Sequence, residues 1–274
     1  MELAEKVSLQ KTKSAKAINT RTLKQKLREY KGRPLSLILK LLMIISVALS
    51  AGILVILIGY ILVKGIPALV KYFPSIFAWE YTSENVSMTP AIINTVIITV
   101  LSLLIAVPIG IFAAIYLVEY AKKGSRIVKL IRVTAETLSG IPSIVYGLFG
   151  YLLFVIGLKM GYSLISGVIT LAIMILPLII RTTEEALLSV PDSYREGSFG
   201  LGAGRLRTVF RVVLPSAVPG ILAGVILAIG RIVGESAALI FTAGTYAAVP
   251  DSLTDSARTL SVHMYALLSE GLYT

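Results

Sequence analysis

Residues 41–63 read LLMIISVALSAGILVILIGYILV, twenty-three positions without a single Asp, Glu, Lys or Arg. A helix needs about 20 apolar residues to cross the ~30 Å hydrocarbon core of a bilayer. Backbone polar groups in that layer must be satisfied within the chain, so such a run reads as a helix. The same signature recurs at 92–118, 138–158, 163–180 and 217–243. Five spans predict an all-α membrane protein, a polytopic helical bundle. Composition agrees, since only 15% of the 274 residues are charged against the ~25% usual for soluble domains. The third run opens on Ser139-Gly140-Ile141-Pro142-Ser143, a poor sequence for an unbroken helix. Irregular backbone at that depth is tolerated only inside protein or beside a water-filled path.

Outward from the first run, residues 1–34 carry ten Lys or Arg and read as a solvated basic tail. Leu23, Leu27 and Tyr30 share one face of it, suited to anionic lipid. The apolar run that follows is too long for a secretory signal. The membrane domain therefore occupies 35–274. The net charge of +11 would point to nucleic acid in a soluble chain. In a membrane chain its distribution decides instead, and no nucleic-acid partner is expected. Lys122, Lys123, Arg126, Lys129 and Arg132 follow span two, and Arg181, Arg195, Arg205, Arg207 and Arg211 follow span four. The alternate loops hold only Lys64, Lys71, Lys159 and Arg258. This asymmetry predicts a cytoplasmic N-terminus in the plasma (inner) membrane of a bacterium or archaeon. Segment 64–91 then faces outward, with Tyr72, Phe73, Phe77, Trp79 and Tyr81 as an interfacial belt. Beyond span five an outward polar segment is expected, with no return helix.

Enzyme chemistry is missing from the pattern. There is no phosphate-loop motif, no H-E-x-x-H and no G-x-S-x-G. Cysteine is absent and His263 is the single histidine, so no metal site and no cofactor are expected. Glu184 and Glu185 are neighbours in sequence and diverge by about 100° on a helix, a poor acid–base pair.

The informative segment is the loop 182–215, within RTTEEALLSVPDSYREGSFGLGAGRLRTVFRVVLP (181–215). Pro191 should end one helix, and Asp192 or Ser193 should cap a short second one, with Glu196 in its first turns. Gly200, Gly202 and Gly204 then force a corner. The segment resembles the EAA motif of ABC importer permeases: Glu196-Gly197-Ser198, three residues, Gly202, nine residues, then Val212-Val213-Leu214-Pro215. Gly197 and Ser198 stand where the motif has alanines. Further stretches, LSGIPSIVYGLF (138–149), LPLIIRTTEE (176–185), VLPSAVPGI (213–221) and RIVGESAALIFTAG (231–244), are similar to the PstA-type permeases of phosphate importers.

That resemblance implies the ABC importer type I (MetI-like) permease fold, with Arg195, Glu196, Gly197, Ser198, Gly202, Leu214 and Pro215 coupling to a cytoplasmic ATPase dimer. It also implies a second, PstC-like permease subunit, an external phosphate-binding protein and phosphate as cargo. The ATPase being separate, the chain itself is no enzyme. Such permeases have a sixth span, so the resemblance implies that the chain is truncated. Within the matching stretches, Ser143 and Ser236 join Arg231 and Glu235 on the expected substrate path. Arg231 falls about 22 Å into span five at ~1.5 Å per residue, where an arginine costs at least ~2.5 kcal/mol and normally faces a partner or a polar route. Glu235, at i+4, is its expected salt-bridge mate, and a guanidinium fork suits phosphate oxygens. Gly220, Gly224, Gly230 and Gly234 are expected to form a close-packing stripe toward the second permease. The alternatives are an ABC permease for another oxyanion, such as phosphonate or molybdate, and a stand-alone secondary transporter. The latter class would show internal repeats.

Overall fold

The computed structural model describes residues 34–270 apart from 80, 82–86 and 123. The basic tail, with Leu23, Leu27 and Tyr30, thus lies outside the described residues except for Pro34.

The first apolar run sits within helix α1, Pro34–Lys71, which extends the expected span at both ends. It is apolar on every side. A helix hydrophobic all round belongs in lipid or against partners.

The second unit, residues 73–274, is a helical bundle. Helix α2, Thr89–Ile115, continues as a π turn over Tyr116–Tyr120. Helix α3, Arg126–Ser139, occupies what the sequence reads as a basic loop. Its Ile127, Leu130 and Val133 recur at helical spacing and are exposed. Helix α4, Ser143–Gly150, extends as π turns to Gly157 and is bent by 101° from α3. The third span, expected as one run from 138, is therefore a broken pair. Pro142 at the start of α4 is the cause, because it disfavours helical backbone in the residue before it. The Tyr146 hydroxyl donates to Leu138 O (2.9 Å) and staples the break.

Helix α5, Leu164–Leu188, is the most buried of the long helices and the centre of the packing. Ile98, Leu171, Ile175, Ile179 and Ile232 form the core with it. A short helix α6, Asp192–Gly200, leads into α7, Arg205–Val233, which includes a π turn at Val209–Val213. The fifth span is not continuous to 243. It stops at Val233, breaks at Gly234–Ser236, and resumes as the short helix α8, Ala237–Thr242. The apolar sequence runs straight through this break and conceals it.

A strap over residues 243–259 then crosses one end of the bundle. Its Asp255 and Leu253 carbonyls accept from Leu164 N (2.9 Å) and Ile165 N (2.9 Å), satisfying the otherwise orphan first amides of α5. Helix α9, Leu260–Glu270, follows and packs on α2. This corrects the expectation that no return helix follows span five. The belt also needs correction: Phe73, Phe77 and Trp79 are exposed, whereas Tyr81 is half-buried.

Two positions of the glycine stripe, Gly220 and Gly224, pack within the chain. A Cβ on Gly220 would strike Ala186 (2.7 Å), and one on Gly224 would strike Thr182, both on α5. Gly230 has open space around it. The tightest backbone approach is Gly147 on α4, where a Cβ would lie 2.8 Å from Ala238 Cα on α8. Backbone cannot rotate away as a side chain can. Gly147→Ala is expected to cost about 1–3 kcal/mol by overpacking, read as a lower unfolding temperature of the purified protein. Gly230→Ala serves as the control and is expected to leave that temperature unchanged. Equal unfolding temperatures for both variants would refute the α4–α8 contact.

Candidate functional site

At the end of the bundle opposite the strap, α5, α6 and α7 make a hairpin. Pro191 separates α5 from α6 with extended ψ (139°) and occupies the N-cap position itself. The expected capping by Asp192 or Ser193 is not observed. Asp192 lies in the first turn of α6, where its charge suits the helix dipole. At the other end of α6, Gly202 N–H donates to Phe199 O (2.9 Å) and Ala203 N–H to Ser198 O (3.1 Å). That pair of bonds is a Schellman stop. It needs left-handed backbone, and Gly202 has φ +83°, which only glycine adopts without cost. Leu201, beside it, is 91% exposed.

One side chain fastens the hairpin to the bundle. Arg195 Nε and Nη2 donate to Glu119 Oε1 at 3.0 and 2.8 Å. Nη2 also reaches Leu187 O (2.9 Å), and Nη1 reaches Val190 O (2.8 Å) and Asp192 Oδ1 (3.2 Å). The guanidinium thereby ties α6 to the C-terminus of α5 and to the π turn that ends α2. Both side chains of the pair are largely buried. Ser198 Oγ and Thr208 Oγ1, 2.8 Å apart, close the hairpin from its other arm. Sequence reasoning selects Arg195 and misses Glu119, which sits 76 residues away at the end of an apolar run.

The remaining motif residues divide by exposure. Glu196 and Gly197 are exposed, and nothing lies within 4 Å of a Cβ built on Gly197. Either glycine or the motif's alanine therefore fits this position. Leu214 packs against the buried cluster that includes Ala114, Leu187 and Val213. Pro215 has no N–H to donate within the helix, and the π turn just ahead of it ends with Leu214 N–H bonded to Val209 O.

The expected substrate-path residues lie around the break between α7 and α8. Arg231 is half-buried in the last turn of α7. Glu235 is beyond the break, buried, and its Oε1 accepts from Ala238 N (3.1 Å). It caps α8. Because the helix stops at Val233, the i, i+4 geometry expected for Arg231 and Glu235 does not exist, and no ion pair joins them among the described residues. Ser236 is half-buried at the head of α8. Ser143 opens α4, one turn before the Gly147–Ala238 contact, and Tyr146 lies within electrostatic reach of Arg231. Among the described residues, no group of three potential metal ligands occurs.

Among the described residues, four helices long and apolar enough to cross a membrane and a fifth, broken pair define a multi-pass membrane protein. Comparison with known proteins gives the class its name. Residues 106–269 match the family described as binding-protein-dependent transport system inner membrane component, and the chain belongs to that family. It is an ABC permease component, a transport subunit and not an enzyme. The chain is similar to a probable ABC transporter permease protein, YqgI, of Bacillus subtilis, at 35% identity over 82% of this chain and 80% of that one. It is 40% identical to the phosphate transport system permease protein PstA of Pasteurella multocida, over 67% of this chain and 64% of that one. The corresponding figures for PstA 2 of Mycobacterium tuberculosis are 37%, 66% and 60%. The chain thus spans a little under two thirds of the length of these two phosphate permeases.

Losing one partner of a buried, hydrogen-bonded pair costs about 3–5 kcal/mol. Glu119→Gln and Arg195→Met are each expected to loosen the hairpin and speed trypsin cleavage at Arg205 and Arg207 at least tenfold. Cleavage at the native rate in both variants would show that the clamp does not hold the hairpin.

Proposed function

We propose that the chain is the PstA-like permease of a phosphate importer, oriented with its N-terminus and the α6 hairpin in the cytoplasm. It works with a PstC-like permease, a cytoplasmic ATPase dimer and an external phosphate-binding protein, and forms half of the translocation path. The observation that carries the ATPase contact is the hairpin. Arg195 immobilises its base while Leu201, Tyr194, Phe199 and Leu206 are exposed on it. Exposed apolar side chains on a rigid polar end mark a protein–protein contact. The loop charges support the orientation by the positive-inside rule. The cargo reading rests on similarity to the phosphate permeases and on Arg231, a half-buried guanidinium that no carboxylate neutralises among the described residues. In this reading Glu235 is a positioning residue that holds α8, and Ser143 and Ser236 line the route on either side.

Proteoliposomes holding the four-component complex should take up phosphate only with ATP inside and binding protein outside. Leu201→Asp or Gly202→Leu should abolish ATP-driven uptake and co-purification of the ATPase while the two permeases still associate. Retention of the ATPase by both variants would place the docking surface elsewhere. Arg231→Gln should assemble and lose at least 95% of uptake, and Arg231→Lys should keep part of it, because charge survives while the fork is lost. Full uptake by Arg231→Gln would remove the anion role.

A further inference from the structure

Arg258 lies near the end of the strap, two residues before α9, and is 3% exposed, yet its Nε and Nη2 have no hydrogen-bond partner and no carboxylate pairs with it among the described residues. One turn on, His263 is 1% exposed with both ring nitrogens unpartnered. Both side chains face the same ring. Arg258 Cζ is 4.5 Å from the Tyr81 centroid, and the His263 ring meets Tyr81 edge-on at 5.7 Å. Thr259 Oγ1, between them in sequence, is also buried and unpartnered.

A cation buried without a counter-charge is costly, and native interiors pair it or hold a ligand there. The ring of Tyr81 compensates the guanidinium only in part. The backbone around the cluster is fixed rather than slack. Asn94 Nδ2 donates to Arg258 O (3.2 Å) and Ala248 O (3.0 Å), Leu260 N donates to Thr95 Oγ1 (2.9 Å), and Arg258 N donates to Tyr246 O (3.1 Å). The free donors are thus preorganised. Nε and one terminal nitrogen form the edge of a guanidinium that bonds two oxygens of a tetrahedral oxyanion at once. A histidine ring that faces the same tyrosine and a buried threonine hydroxyl next in sequence add further unpartnered polar groups, and among the described residues no carboxylate pairs with Arg258.

We propose that Arg258, His263 and Thr259, backed by Tyr81, form a holding site for a free oxyanion at the strap end of the permease. The ligand class is inorganic phosphate, which rests on the phosphate reading above. The site stands apart from the α7–α8 break, but Ser261 Oγ donates to Gly234 O (3.2 Å) and pins the two segments together. An anion held at Arg258 is therefore placed on a segment contiguous with the one that carries Arg231. Near-complete burial of Arg258 and His263 excludes a phospholipid headgroup, whose chains could not follow it.

The test uses the purified complex of both permeases and the ATPase, without nucleotide or binding protein, in phosphate-free detergent. Added phosphate is expected to raise the unfolding temperature in a saturable way, with chloride at equal ionic strength giving no shift. Arg258→Gln should weaken the apparent affinity for phosphate at least tenfold, and Arg258→Lys less. His263→Phe keeps the ring against Tyr81 while removing both nitrogens, and should also weaken it. If Arg258→Gln does not insert into the membrane, His263→Phe decides alone. A wild-type phosphate response in either assembled variant overturns the site. Loss of the second permease from membrane-inserted Arg258→Gln also overturns it, since Arg258 would then be pairing with that subunit. Absence of phosphate uptake by the wild-type complex would instead sink the cargo reading, and the binding measurement stands apart from that result.

Discussion

The arrangement at the hairpin end depends on one guanidinium. Arg195 satisfies two helix-terminal carbonyls, an aspartate in its own first turn and a buried carboxylate on another helix. A helix of nine residues is too short to be stable alone, so α6 exists as an ordered platform because something outside it holds it. Taking Arg195 and Glu119 out of water together is costly. The geometry offsets much of that cost, since each of the three guanidinium nitrogens is bonded. In return, α6 is tied directly to α5 and to the π turn that ends α2, the two helices that share the largest part of the core.

That core is assembled from small residues as much as from large ones. Gly110, Gly220 and Gly224 let α2 and α7 approach α5 closely, and Gly147 does the same between α4 and α8. In lipid there is no hydrophobic drive to bring apolar helices together, so close van der Waals contact and a few interhelical hydrogen bonds must suffice. Ser102 Oγ donating to Val168 O (3.2 Å) is one such bond. The three π segments, each beside a proline, a helix end or a polar clamp, are where the regular ladder yields to these contacts.

Much of this was legible in the sequence. The apolar runs located α1, α2, α5 and most of α7 because membrane helices are defined by length and hydropathy alone. The glycine corner at 202 was legible because only a few local conformations suit that spacing. Helix α3 was hidden because Arg126, Lys129 and Arg132 read as loop charge, although Ile127, Leu130 and Val133 carry the helical period. The break at Gly234 was hidden for the opposite reason, being embedded in residues as apolar as their neighbours. Glu119 and the Arg258–His263 pair were beyond reach because their significance lies in what faces them. A charge-counting rule treats Arg258 as one more loop cation, whereas the fold turns it inward.

The π turn at Val209–Val213 gives the motif spacing a meaning other than distance. Each residue of an α-helix advances the chain by 1.5 Å and rotates it by about 100°. Deleting one residue between Gly202 and Pro215 would barely shorten the connection, yet it would swing the hairpin a quarter turn about the axis of α7. Ser198 would leave Thr208, and Arg195 could no longer point at Glu119. The nine residues between Gly202 and Val212 are thus better understood as an angle setting. Insertions or deletions there would alter the direction in which the permease presents Leu201, while the lipid-facing part of α7 kept its place.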